Sequence, residues 1–156
     1  MTLLLTALLA GLSLPSTEDW VVIASHQEAA IGVDRTSVRR SGGTVSATVL
    51  MGLFVPETPP GATAAMQYYL SDETVDCAAL TRVEHEVRIY SPEGVLLGNS
   101  PPDPDTGIRA GSMSGSLHEA LCDEAAGLDG EGHADPLIAI QAEAADRRAT
   151  GRAVND

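Results

Sequence analysis

The first two thirds of the chain alternate short apolar runs with turn residues, a pattern typical of β-strands. The runs at 20–24 and 31–34 predict two short strands, and residues 44–55 predict a long one. In the long strand every second side chain is apolar, which places four of them on one face: Val45, Ala47, Val49 and Met51. Such a strand is expected to bury that face against another layer of structure.

Turn residues divide the next part of the chain into further strands. Ser-Gly-Gly at 41–43 is the clearest hairpin signal, because glycine readily adopts the positive φ of tight turns. Extended segments follow at 66–70, 74–80 and 81–90, and Ser-Pro-Glu-Gly at 91–94 predicts another turn. Strict alternation in the last of these strands would place four side chains on one face: Val83, His85, Val87 and Ile89.

Near Ser116 the apolar period changes to that of a helix. Ser116 as the N-cap, with Glu119 three residues later, forms a capping box, and Leu117 and Cys122 then share a face. A second amphipathic helix is predicted over 136–148. Because the strands precede the helices, we predict an α+β fold, with an antiparallel β-sheet and a short C-terminal helix packed on one face.

The same pattern divides the chain into three segments. Residues 1–15 begin with an apolar run too short to span a bilayer, which is typical of a signal peptide. Residues 16–122 form the predicted α+β domain. Residues 123–156 are acidic and rich in Ala and Gly, so we expect a solvated tail that carries the helix at 136–148.

Charge limits the partners of this protein. The formal net charge is −13, and all nine basic residues are Arg. So negative a surface repels phosphate backbones and anionic lipid, which disfavours nucleic-acid binding. The simplest interpretation of the negative charge is that it keeps the protein soluble. The alternative interpretation is that it attracts basic partners. The hairpin that contains Arg39, Arg40, Ser41, Gly42 and Gly43 is the candidate binding segment.

The two cysteines, Cys77 and Cys122, allow two interpretations. In an exported chain an even number predicts one disulfide, worth ~4 kcal/mol in the chain-entropy model. In a reducing compartment they would be thiols or metal ligands. His118 lies four residues before Cys122 on the predicted helix, so His118, both cysteines and either His133 or Asp123 would form a zinc site.

No catalytic motif is present. His85 lies between Glu84 and Glu86, but neighbours on a strand point to opposite faces, so the three cannot form one acid–base site. The segment 103–107 departs from the calcium-loop pattern, and 111–115 departs from the nucleophile elbow. We therefore expect no enzyme activity, no catalytic residue and no cofactor.

Four short motifs occur in an order that resembles the bacterial surface-adhesin protein E-like family. They are a Trp-Val-Val-Ile strand at 20–23, Val-Asp-Arg-Thr-Ser-Val-Arg-Arg-Ser-Gly-Gly at 33–43, Val-Asp-Cys at 75–77, and Ile-Tyr-Ser-Pro-Glu-Gly at 89–94. The resemblance covers about residues 20 to 122. It implies an antiparallel sheet whose C-terminal helix is tethered by a disulfide between Cys77 and Cys122.

What the resemblance implies about function is coarser. The named adhesin of the family lies on the bacterial surface and binds host extracellular-matrix and serum proteins. Our leading hypothesis is a non-enzymatic exported binding or envelope module, periplasmic or at the cell surface, with no membrane span after leader removal. Its ligand is an unknown protein or envelope component, bound by the hairpin or by the solvent face of the sheet. The alternatives are a structural homodimer formed through a sheet edge and a zinc-dependent enzyme.

Overall fold

The computed structural model describes residues 18–104, 107–123 and 128–152. The predicted signal peptide, residues 1–15, lies outside them. The elements in chain order are β1 (Trp20–Ser25), β2 (Ala29–Asp34), a 3-10 turn (Arg35–Ser37), β3 (Arg39–Ser41), β4 (Thr44–Glu57), β5 (Met66–Asp76), β6 (Thr81–Tyr90), β7 (Leu96–Ser100), α1 (Met113–Cys122) and α2 (Pro136–Ala149).

All the strands named above lie in one antiparallel sheet, which confirms the predicted fold class. The strand order is β1-β2-β4-β5-β6-β7. β4 is long enough to pair with two partners on one side, β2 along residues 49–53 and β3 along residues 44–46. The predicted hairpin joins β3 to β4, and Gly42 and Gly43 have φ of 57° and 92°, as a tight turn requires.

α1 covers one face of the sheet, which we call the α1 face. The alternating residues of β4 that the sequence places together do bury there, and Met51 packs at the margin. Leu117 and Leu121 of α1 are fully buried against them. The rest of this core is aliphatic, with contributions from three more strand positions: Ile31, Val33 and Val75.

α2 covers part of the opposite face, which we call the α2 face. Its Ala139, Ile140 and Ala144 bury against a cluster that contains the largest side chains of the core: Trp20, Leu50, Phe54, Tyr68 and Leu70. Composition places residues 136–149 in a solvated tail, whereas in the structure they close this second core. α2 packs closely on β4 because Gly52 has no side chain, and a Cβ at that position would overlap Ile140.

α1 begins at Met113, four residues before the first helical residue that the predicted capping box would give. Its N-cap is Ser112, whose Oγ accepts a hydrogen bond from the Gly115 N–H at 3.2 Å. Ser116 lies inside the helix, where its N–H donates to the Ser112 carbonyl. The prediction of Ser116 as N-cap was therefore wrong. Glycine is a poor helix former, but at position 115 a Cβ would overlap the Arg109 carbonyl, so close packing favours it there.

A β-bulge at His85 overturns the strict alternation predicted for β6. Asp72 of β5 pairs with Glu86, whereas Glu73 pairs with Glu84, so His85 is an extra residue on β6. A bulge of one residue reverses which side chains face which side of the sheet. The two halves of β6 therefore present opposite sets of side chains to each face.

The bulge decides the chemistry of the α1 face. Val87 and Ile89 lie on that face, and so do Arg82 and Glu84, as their common cleft shows. Val83 lies on the α2 face, where it is 47% exposed. Strict alternation would have placed Val83 on the α1 face together with Val87. It would have placed Arg82 and Glu84 on the opposite face.

The predicted disulfide is confirmed. Cys77, which follows β5 directly, is bonded to Cys122, the last residue of α1, and their Cα atoms are 5.6 Å apart. Both sulfur atoms are used in this bond, so the zinc hypothesis, which needs them as thiolates, is wrong for this structure. The bond holds the C-terminal end of α1 against the sheet.

We expect the double substitution Cys77→Ser/Cys122→Ser to lower the free energy of unfolding. The bond closes a loop of 45 residues, for which the chain-entropy model gives about 4 kcal/mol. Urea denaturation of the oxidised protein, the reduced protein and the double variant measures this. The reduced protein serves as control, because it loses the bond and keeps the sulfur atoms. Equal midpoints for all three would contradict the prediction.

Candidate functional site

Three parts of the chain meet at one end of the sheet, which we call the hairpin end. They are the β3–β4 hairpin, the turn at 77–80 between β5 and β6, and the last turn of α1. The Cys77 N–H donates to the Gly43 carbonyl at 3.2 Å, which joins the two turns. The disulfide joins the second turn to α1. The hairpin end is therefore braced by a covalent bond and by backbone hydrogen bonds.

The two arginines of the predicted binding segment have different roles. Arg40 pairs with Val45, which faces α1, and its guanidinium donates to the Leu121 carbonyl in the last turn of that helix. A cation there satisfies a terminal carbonyl and interacts favourably with the helix dipole. Arg40 is therefore a structural tie between the hairpin and α1.

Arg39 lies on the other side of the hairpin, because it pairs with Ser46 rather than with Val45. Its guanidinium is exposed and donates to the carbonyls of Thr36 and Val38, each at 2.8 Å. The tip residues 41–43 are exposed as well. All of the predicted binding segment, residues 39–43, is thus exposed, although the Arg40 guanidinium is engaged with α1.

Leu80 is a residue of the hairpin end that the sequence did not single out. It has a φ of 55°, a conformation that costs a non-glycine residue roughly 1–3 kcal/mol, and it is 51% exposed. The turn is held by the Asp76 carboxylate, which accepts from the N–H groups of Ala78 and Ala79 at 3.0 and 2.9 Å. An apolar side chain held outward on a braced turn is a candidate contact residue.

The part of the α2 face beyond α2 is a flat polar surface, which we call the open face. α2 itself lies over β1, β2 and β4. On the open face a chain of hydrogen bonds crosses three strands, from Ser46 Oγ to Thr74 Oγ1 and on to His85 Nε2, with both distances 3.0 Å. The bulge brings His85 into this chain.

A second chain crosses the same strands beside the first. Thr48 Oγ1 donates to the Asp72 carboxylate at 3.0 Å, and Arg88 Nη2 approaches the same carboxylate at 3.3 Å. Cross-strand pairs of this kind stabilise a sheet by roughly 0.2–1 kcal/mol each. The open face is thus an ordered array of donors and acceptors, suited to contact with another macromolecule.

The α1 face carries a cleft where α1 begins. Its walls are formed by Asp103, Gly107, Arg109, Ser112 and the first turn of α1, and its floor by β2, β4, β5 and β6. The cleft has a volume of about 250 Å³, and its lining includes Met51, Tyr69 and Met113. The Asp103 N–H donates to the Glu84 carboxylate at 2.7 Å, which holds the outer wall to β6.

A buried ion pair lies in the wall of this cleft. Glu73 is 4% exposed, and its carboxylate accepts from Ser71 Oγ at 3.0 Å and from Arg82 Nη1 at 3.1 Å. Burial raises the pKa of Glu73, and the charge of Arg82 opposes that rise. Arg82 Nη2 lies 3.3 Å from the Asp103 carboxylate.

The remaining residues of the zinc hypothesis do not meet. His118 Nε2 lies 3.2 Å from the Cys77 carbonyl, whereas His133 pairs through its backbone with Trp20 at the edge of the sheet. Within residues 18–104, 107–123 and 128–152, no three His, Cys, Asp or Glu side chains are grouped so that they could hold a metal ion. In the same residues, no helix is long and apolar enough to cross a membrane.

Most of the described chain is similar to a known protein family. Residues 20–123 match the family described as Surface-adhesin protein E. The match begins at the first residue of β1 and ends just after the disulfide-bonded Cys122, so α2 lies beyond it. No curated protein matched the chain.

We expect the pH dependence of stability to change in Glu73→Gln. Because the pKa of Glu73 is raised in the folded protein, its contribution to stability is complete below its ordinary pKa of 4.5 and is lost as the pH rises through the folded value. The variant lacks this loss, so its unfolding free energy should rise relative to the wild type as the pH increases from about 4.5. Denaturant titrations across this range measure it. The opposite trend would mean that pairing with Arg82 outweighs desolvation.

Proposed function

Because the chain belongs to the surface-adhesin protein E family, we propose that it is an exported, non-enzymatic binding module. Its compartment is the cell surface or the periplasm, where the Cys77–Cys122 bond is stable. Its ligand is a protein or another component of the envelope. The family's description as surface adhesins supports binding rather than catalysis.

The observation that carries this proposal is the rigidity of the hairpin end. Binding costs free energy for every loop and side chain that must be ordered, and an already braced surface avoids most of that cost. The disulfide, the Cys77 hydrogen bond and the Arg40 tie brace this end from three directions. On the surface of the hairpin end, Leu80 exposes apolar area and Arg39 exposes a positive charge.

Arg39 differs in its partners from three other arginines of the structure. Arg35, Arg82 and Arg88 each form an ion pair with a carboxylate, whereas Arg39 donates to backbone carbonyls. A guanidinium is well suited to bidentate recognition of a carboxylate on a partner. We therefore assign Arg39 and Leu80 the main contacts, with the open face as the adjoining surface.

We expect Arg39→Glu/Leu80→Ser to weaken ligand capture at least about tenfold, because each change removes a contact worth roughly 1–2 kcal/mol. The immobilised protein is incubated separately with solubilised envelope proteins and with extracellular-matrix proteins, and bound proteins are quantified by mass spectrometry. The first set tests an envelope role and the second an adhesin role.

The matched control for this experiment is Arg148→Glu/Ile138→Ser. It makes the same charge change and removes an apolar side chain that is 54% exposed, on α2 and away from the hairpin end. The control should capture ligand as the wild type does. Equal losses in both double variants would contradict the assignment of the hairpin end.

A structural homodimer is the second candidate, and the exposed edge strand β7 favours it. β1, at the other edge, forms a backbone bridge with His133. β7 is bordered by apolar side chains that are 41–59% exposed: Val95, Leu96 and Leu97. An unpaired apolar edge strand can pair with a second copy.

If β7 pairs two copies, light scattering after size-exclusion chromatography should give twice the monomer mass at high protein concentration. Leu96→Lys should return the mass to that of one chain, because a charge on the edge opposes strand pairing. A mass of one chain for the wild type at every concentration would exclude the dimer. That outcome would leave the binding-module proposal in place.

A further inference from the structure

α2 lies in a groove of the sheet that fits it by shape, which we call the α2 groove. The groove is formed by the large buried side chains of the α2 face: Trp20, Leu50, Phe54, Tyr68 and Leu70. The side of α2 that enters it carries two small residues, Ala139 and Ala144, and one larger one, Ile140. Insertion of one apolar side of a helix into a groove is a recurring mode of recognition between proteins.

Gly52 forms a notch in the floor of the α2 groove. A Cβ at this position would overlap the side chain of Ile140. Gly52 is not among the glycines with positive φ, so its backbone conformation does not require glycine. The missing side chain therefore serves the contact with Ile140, and this pair sets the position of α2 on β4.

Polar contacts in the second half of α2 fix its orientation. Ser25 Oγ of β1 donates to the Glu143 carboxylate at 2.5 Å and accepts from Arg147 Nη1 at 3.0 Å. The Arg147 guanidinium also lies over the Phe54 ring, 5.6 Å from its centroid, in a cation–π contact. The α2 groove thus recognises its helix by shape at Gly52 and by hydrogen bonding at Ser25.

α2 and its groove form a unit that is separate from α1. The buried residues of the α2 face and those of the α1 face form two distinct clusters. The disulfide ties α1 to the sheet, and the family match, residues 20–123, contains the groove residues without α2. Elements with few buried side chains open at a lower free energy than a whole domain. α2 can therefore leave the groove while the sheet and α1 stay folded.

We propose that the α2 groove is a helix-binding site, which is filled by α2 of the same chain and which α2 of a second copy can fill in its place. Every copy carries the helix that the structure shows to fit, and exchange of an identical element is a known route to dimers. The covalent connection favours the chain's own helix, so exchange becomes visible when that helix is weakened. The groove is separate from the hairpin end and from β7.

A fluorescein-labelled peptide of residues 135–150 tests the groove with oxidised full-length chains. The readouts are the anisotropy of the label and the emission of Trp20, the single tryptophan, which is buried in the groove. Ile140→Ala in the chain weakens its own α2, and the apparent dissociation constant of the peptide falls as the fraction of open grooves rises. We expect the peptide to bind this variant at least about tenfold more tightly than it binds the wild type.

Matched variants distinguish the groove from other surfaces. Ile138→Ala makes the same change at a residue of α2 that is 54% exposed, and it should bind the peptide as the wild type does. Gly52→Val/Ile140→Ala fills the notch of an open groove and should lose the binding. A peptide that itself carries Ile140→Ala should bind Ile140→Ala chains at least about tenfold more weakly than the unchanged peptide.

Two full-length chains test the exchange between copies. Gly52→Val blocks the groove and keeps an intact α2, whereas Ile140→Ala keeps the groove and weakens the helix. Both changes are made in the Leu96→Lys background, which opposes pairing through β7. Light scattering should give the mass of one chain for each variant alone and of two chains for the mixture.

Four results would overturn the proposal. Equal peptide binding by Ile140→Ala and Gly52→Val/Ile140→Ala would place the peptide elsewhere. Unfolding of the sheet in Ile140→Ala would make α2 an inseparable part of the core. Unchanged Trp20 emission in that variant would remove the role assigned to Ile140. A changed emission without saturable peptide binding would restrict the groove to the helix of its own chain.

Discussion

The bond between Cys77 and Cys122 determines where α1 lies, and both the hairpin end and the cleft at the start of α1 depend on that position. At its C-terminal end, α1 completes the hairpin end, where Arg40 meets the last helical turn. At its N-terminal end, the same helix forms one wall of the cleft over Met51 and Tyr69. A shift of the helix would therefore change both regions. A covalent link of this kind persists in an oxidising environment.

The sheet contributes few large side chains to the core, and burial of apolar residues on both of its faces stabilises it. Aromatic residues make up 3% of the chain, so the core is built mainly of Val, Leu, Ile and Ala. β4 presents Val45, Ala47 and Val49 to α1 and Leu50 and Phe54 to the opposite face. A small core of this kind loses stability readily, which makes a covalent crosslink and a second helix valuable.

Several arginines have structural roles in this acidic protein. Arg35, Arg82 and Arg88 form ion pairs with carboxylates, and Arg40 binds a helix terminus. The chain as a whole has an excess of carboxylates, with 22 acidic residues against nine basic ones. Arg39 is one of several exposed arginines, and its guanidinium donates to nearby backbone carbonyls.

The sequence alone determined the fold class and the hairpin at Gly42 and Gly43, because alternation and turn residues are local properties. The number of cysteines left a disulfide and a metal site both open, and the family resemblance favoured the disulfide. The tertiary structure decided three further features. A bulge at His85 changed which residues share a face, since pairing register depends on the neighbouring strand. Ser112 rather than Ser116 capped α1, since Gly115 allows close packing on Arg109. The cleft at Tyr69 and the outward Leu80 arise from positions distant in sequence and from a turn conformation, neither of which a pattern along the chain encodes.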